Sequence, residues 1–113
     1  MKKISKIILT IFFVIAFVTH IFSVFGNDDK PLWWHCLYFL TYGVCGWTLF
    51  SKLGYRLYIY TISAVFPFVT HLYYAYRRFP NNMEINFIIC IVVCLFLIFG
   101  FISIKNEIGL GKV

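Results

Sequence analysis

Charge is what this chain has least of. Only 12% of its residues are Asp, Glu, Lys or Arg, about half the share usual in a soluble domain. Proline is scarce too, and of three prolines only Pro67 sits inside an apolar run. The four cysteines, Cys36, Cys45, Cys90 and Cys94, form no C-x-x-C pair, which removes the usual redox and zinc-ribbon spacings. No internal repeat and no low-complexity segment interrupts the chain. No hydrolase, kinase or dinucleotide-binding motif can be found in it. These absences leave no enzymatic chemistry to assign, so the expectation is a non-enzymatic protein.

What the chain has instead is apolar surface. It is 62% hydrophobic and 22% aromatic over 113 residues. A core of that size cannot hide so much apolar area from water, so lipid must cover most of it. Four apolar runs cover approximately 7–25, 32–50, 55–76 and 85–103. Each is long enough to cross a bilayer as a helix. The predicted fold class is an all-α integral membrane protein, a four-transmembrane-helix bundle with short loops, forming one membrane domain over 1–113. The run 7–25 follows Lys2, Lys3 and Lys6 and could be read as a secretory signal, but its 19 residues exceed the usual signal core of about 7–15. An uncleaved first helix is the expectation. Asp29 is placed to cap the second helix, with Pro31 in its first turn.

The basic residues set orientation. With four spans, Lys2, Lys3, Lys6, Lys52, Arg56, Lys105 and Lys112 share one side, and Lys30, Arg77 and Arg78 share the other. The positive-inside bias puts both termini in the cytoplasm. Placed at the edges of apolar runs, these cations meet headgroups, so the net charge of +6 does not signal nucleic acid. The expected location is a bacterial inner (cytoplasmic) membrane, multi-pass. The expected partners are the lipid bilayer and either another membrane protein or further copies of this chain.

Polar side chains inside the runs recur every three or four residues. His35, Tyr38, Tyr42 and Cys45 do so in the second run, and Tyr60, Ser63, Pro67, Thr70, His71 and Tyr74 in the third. That spacing puts each set on one helix face, and in lipid such faces turn inward. Gly43 and Gly46 let a neighbouring backbone come close. Pro67 lacks an N–H and frees the carbonyl of Ser63, which then needs another donor, such as Thr70, His71 or water. At 1.5 Å per residue, His20, His35 and His71 all fall roughly 6–8 Å below the outer interface. Glu84 stands at the start of the fourth run on the same side. No cofactor is required by this pattern. If one is present, His20, His35, His71 and Glu84 are the set that can hold a transition metal, or relay protons.

The segment FISIKN, Phe101 to Asn106, resembles the end of an immunity protein against a pore-forming colicin. That resemblance implies a protein that blocks a toxin within the bilayer. Three function classes follow: a bilayer protein acting through helix contacts, a metal- or proton-handling protein, and an immunity protein.

Overall fold

The computed structural model describes residues 3–25, 31–52, 54–78 and 85–109. Among them the chain is all helical, with no strand. The helices are α1 (Lys3–Val24), α2 (Leu32–Thr48), α3 (Arg56–Arg78) and α4 (Ile85–Gly109). Each packs on the next in sequence, α1 on α2, α2 on α3 and α3 on α4, whereas α1 and α4 meet only briefly. The stretches Lys3–Ser23 and Phe87–Gly109 are long and apolar enough to cross a membrane. The other two helices do not reach that standard. α2 has 17 residues, and α3 spends much of its length on Tyr, Thr and terminal Arg.

The ends of the elements differ from the expected spans for local reasons. α2 stops at Thr48 because the amides of Leu49, Phe50 and Ser51 bond to the carbonyls of Gly46 and Trp47, tightening the last turn. Pro31 is the N-cap of α2, with extended dihedrals and no side-chain cap, so it stands just before the first turn. Asp29, the expected cap, lies outside the described residues, as does Glu84. α4 runs on past Ser103, which carries Glu107 to Arg56.

Polar groups in these helices are satisfied close to home. Thr10 donates to the Lys6 carbonyl, Thr19 to Ile15, Thr41 to Leu37 and Thr61 to Leu57, all at 2.6–2.8 Å. Each hydroxyl folds back four residues on its own helix, which hides its polarity from the surroundings. Large apolar side chains such as Ile4, Phe22, Trp47, Ile62 and Leu95 remain exposed. Inside lie Leu9, Phe13, Tyr42, Leu49, Tyr60 and Ile104, with His35, Thr48, Ser51, Arg56 and Ser103 buried beside them.

One end of the bundle is held by Arg56, which is only 3% exposed. Its guanidinium donates to the Ser51 carbonyl at 2.5 Å and to the Glu107 carboxylate. This joins the start of α3 to the end of α4. At the same end the Lys6 ammonium sits 4.6 Å from the centre of the Phe50 ring, joining α1 to the end of α2.

Close approach between helices depends on glycine at three places. Phe13 and Phe17 of α1 lie on Gly46 and Gly43 of α2; a Cβ there would stand 3.3 and 3.1 Å from them. Gly100 is tighter. A Cβ there would strike the Tyr60 hydroxyl and stand 2.8 Å from Cζ. Tyr60 is fully buried and its hydroxyl donates to the Leu97 carbonyl at 2.7 Å, so it cannot swing away. Gly100→Ala is therefore expected to destabilise by about 1–3 kcal/mol, as overpacking does. Gly43→Ala should cost less, because Phe17 is only partly buried and can rotate. Thermal melts in detergent test the order; equal melting temperatures for the two variants would contradict it.

Candidate functional site

Histidines from α1 and α3 meet at one tyrosine of α2. Tyr38 projects from α2 and is 3% exposed. His20 of α1 stacks on it with ring centroids 4.5 Å apart, and also on Tyr42 at 5.4 Å. His71 of α3 meets the same ring edge-on at 5.4 Å. His35, one turn before Tyr38 on α2, lies 6.4 Å from His20 between ring centroids and is 6% exposed. Trp34 and Phe66 close the other sides of Tyr38 at 5.8 and 4.8 Å. Stacked and edge-on contacts of this kind suit the ring quadrupole.

The helix register explains the gathering. His35, Tyr38 and Tyr42 share one face of α2, and that face turns toward α1 and α3. Thr70 and His71 come one turn after Pro67. The Thr70 hydroxyl accepts from Tyr38 Oη at 2.5 Å and donates to the Phe66 carbonyl at 2.8 Å. His71 Nδ1 bonds to the Pro67 carbonyl at 2.7 Å. These side chains bond to the carbonyls of Phe66 and Pro67, not to that of Ser63. A side chain reaches back four positions. The residue four positions after Ser63 is Pro67 itself, which has nothing to donate.

The bond at His71 determines where its protons sit. A carbonyl only accepts, so Nδ1 carries the hydrogen and Nε2 of the neutral ring keeps its lone pair. For His20, Nδ1 is buried with no hydrogen-bond partner. A buried N–H without an acceptor is rarer than a bare acceptor. The His20 hydrogen accordingly belongs on Nε2, leaving Nδ1 as the idle lone pair.

His20 and His71 also line one cavity. It measures about 300 Å³ and lies between α1 and α4, with Tyr42 and His71 on the inner side. Its walls are apolar, from Ile15 and Ala16 on α1 and Ile88 and Val92 on α4. The one hydroxyl that α1 adds, Thr19, is already bonded to the Ile15 carbonyl at 2.7 Å.

Among the described residues no group of three or more His, Cys, Asp and Glu side chains is arranged to hold a metal ion. Glu84, the fourth member of the expected set, lies outside them. All four cysteines are free thiols. Cys94 Sγ donates to the Phe68 carbonyl at 3.7 Å and Cys45 Sγ to the Tyr60 carbonyl at 3.9 Å, so both serve packing between helices. The part that sequence reasoning missed is the central role of Tyr38. Its place in the polar stripe of α2 was visible, but nothing in the sequence showed that His20 would stack on it.

Searches of family models, curated proteins and solved structures find no match to this chain. Its function must be argued from its own geometry.

Because Tyr38 carries both packing and a hydrogen bond, its two variants should separate. Tyr38→Phe keeps the ring contacts and loses the bond to Thr70, at about 0.5–1.5 kcal/mol. Tyr38→Ala leaves a cavity among three helices and should cost about 3–5 kcal/mol. Melting in detergent gives the comparison, and a Phe variant as unstable as the Ala variant would show that the ring contacts matter little.

Proposed function

We propose that this chain is a four-span bacterial inner-membrane protein with both termini in the cytoplasm. On this reading it is not an enzyme and works through contacts made inside the bilayer. The observation that carries the proposal is the polarity of the bundle. Apolar side chains face outward on all four helices, including Leu40 and Trp47 of α2 and Ile62 and Val65 of α3. Arg56, His35, Thr48, Ser51 and the rings of Tyr38, Tyr42 and Tyr60 lie inside. A protein surrounded by water arranges the two classes the other way, whereas one surrounded by lipid must turn polar groups inward.

Two further features support spans for α2 and α3 despite their length and composition. The longest dimension of the bundle is 44 Å, close to the roughly 40–45 Å of a bilayer with its headgroups. The ion pair between Arg56 and Glu107 and the contact between Lys6 and Phe50 gather one end of every helix into a single basic layer. Lys52 and Lys105 are exposed at the same end, as the positive-inside bias favours for a cytoplasmic face.

The handling of protons or ions by the histidines is the second reading, favoured by the meeting of His20 and His71 at Tyr38, with His35 6.4 Å from His20. The immunity reading has only the short segment at Phe101 to Asn106 behind it.

Topology reporters test the main proposal. A reporter active only in the cytoplasm should work when fused after Val113. A reporter that needs the periplasm should work when inserted between Asn81 and Asn82. An inactive cytoplasmic reporter at the C-terminus would remove the four-span reading.

A further inference from the structure

The weakest seam of the bundle, between α1 and α4, is also where its two accessible histidine rings stand. We infer that the cavity there binds an apolar molecule bearing one hydroxyl, a phenol or alcohol drawn from the bilayer. The hydroxyl donates to His71 Nε2 and accepts from the Nε2–H of His20. The inference rests on the membrane reading proposed above, since only then does the seam open to lipid.

Three observations converge on this ligand chemistry. The first is the pair of hydrogen-bonding roles. The His71 ring spends its Nδ1 hydrogen on the Pro67 carbonyl and therefore offers an acceptor. His20, with Nδ1 buried and unpartnered, offers a donor. A hydroxyl is both donor and acceptor, and so satisfies both rings at once. A carbonyl or an ether satisfies only His20, and an ammonium only His71.

The second observation is size. A dry cavity of about 150 Å³ takes a benzene ring, and this one is about 300 Å³, with room for two fused rings or a short branched chain. An ion held by two imidazoles would leave most of that space against bare aliphatic walls. The third is the lining. Of its eleven residues, seven are apolar side chains of α1 and α4, Ile15, Ala16, Ile88 and Val92 among them, while Thr19 is committed to its own helix. An apolar enclosure with a few convergent polar atoms is the usual form of a small-molecule site.

The test uses the full chain in phosphatidylcholine nanodiscs with nitrogen-15 in its histidine rings. Three probes are titrated: 2-naphthol, 2-methoxynaphthalene and naphthalene. 2-Naphthol should shift the ring-nitrogen resonances of His20 and His71 together and bind about tenfold tighter than the methoxy compound, the worth of one lost hydrogen bond. Ala16→Phe, which fills the cavity, should abolish the shifts. Equal affinity for all three probes, or shifts at neither ring, would overturn the inference without any variant having to fold. Shifts at both rings on adding copper(I) alone, with none from 2-naphthol, would overturn it in favour of an ion site. Incorporation into the discs is read separately. A chain that stays outside them defeats the membrane reading and this inference together, whereas an embedded chain with unmoved rings defeats the hydroxyl site alone.

Discussion

Polar side chains held inside the bundle are constrained to find partners there, as Tyr38, Tyr60 and Arg56 do. That constraint arranges the structure. Threonine hydroxyls turn back to carbonyls of their own helix. Tyr60 reaches across to the Leu97 carbonyl, Tyr38 to Thr70, and Arg56 to Ser51 and Glu107. Such bonds contribute little net energy when made, yet an unmade one in an apolar setting costs a great deal. The bonds between elements therefore act mainly by excluding other packings. The helices can rotate or slide only by leaving a donor or acceptor stranded.

The two ends of the bundle use the constraint differently. At one end Arg56 supplies several donors in a rigid fork, which ties α3 to α4 and to the turn after α2. The contact is directional and charged. At the other end the joining is aromatic. Tyr38 is enclosed by Trp34, Phe66, His20 and His71, and its one hydroxyl is spent on Thr70. Ring packing tolerates small rotations better than a forked ion pair does. The looser end is also the one where α1 and α4 part and the cavity lies.

Glycine sets how closely the helices approach. Gly100 admits the Tyr60 hydroxyl where any side chain would collide with it, and Gly43 and Gly46 receive Phe17 and Phe13. No comparable small residue brings α1 to α4. Opposing Ile15 and Ala16 stand Ile88 and Val92, and the gap between them remains open. The uneven placement of small residues thus decides which seams close and which does not.

Several features were determined by the sequence alone. Four apolar runs separated by Gly, Pro, Asn and basic residues specify four helices, because a long apolar run is interrupted only where residues of those kinds favour a turn. The spacing of His35, Tyr38 and Tyr42 likewise specified one polar face of α2, since helical periodicity is a property of the chain itself. The ends of α2 and α4 were not legible, because they depend on a tightened turn and on Glu107 reaching a distant arginine. Tertiary structure alone decided that His20 stacks on Tyr38, that His71 bonds to Pro67, and that a cavity remains between α1 and α4. Those outcomes follow from the rotation of each helix about its axis and the volumes of the side chains opposite, which no single segment encodes.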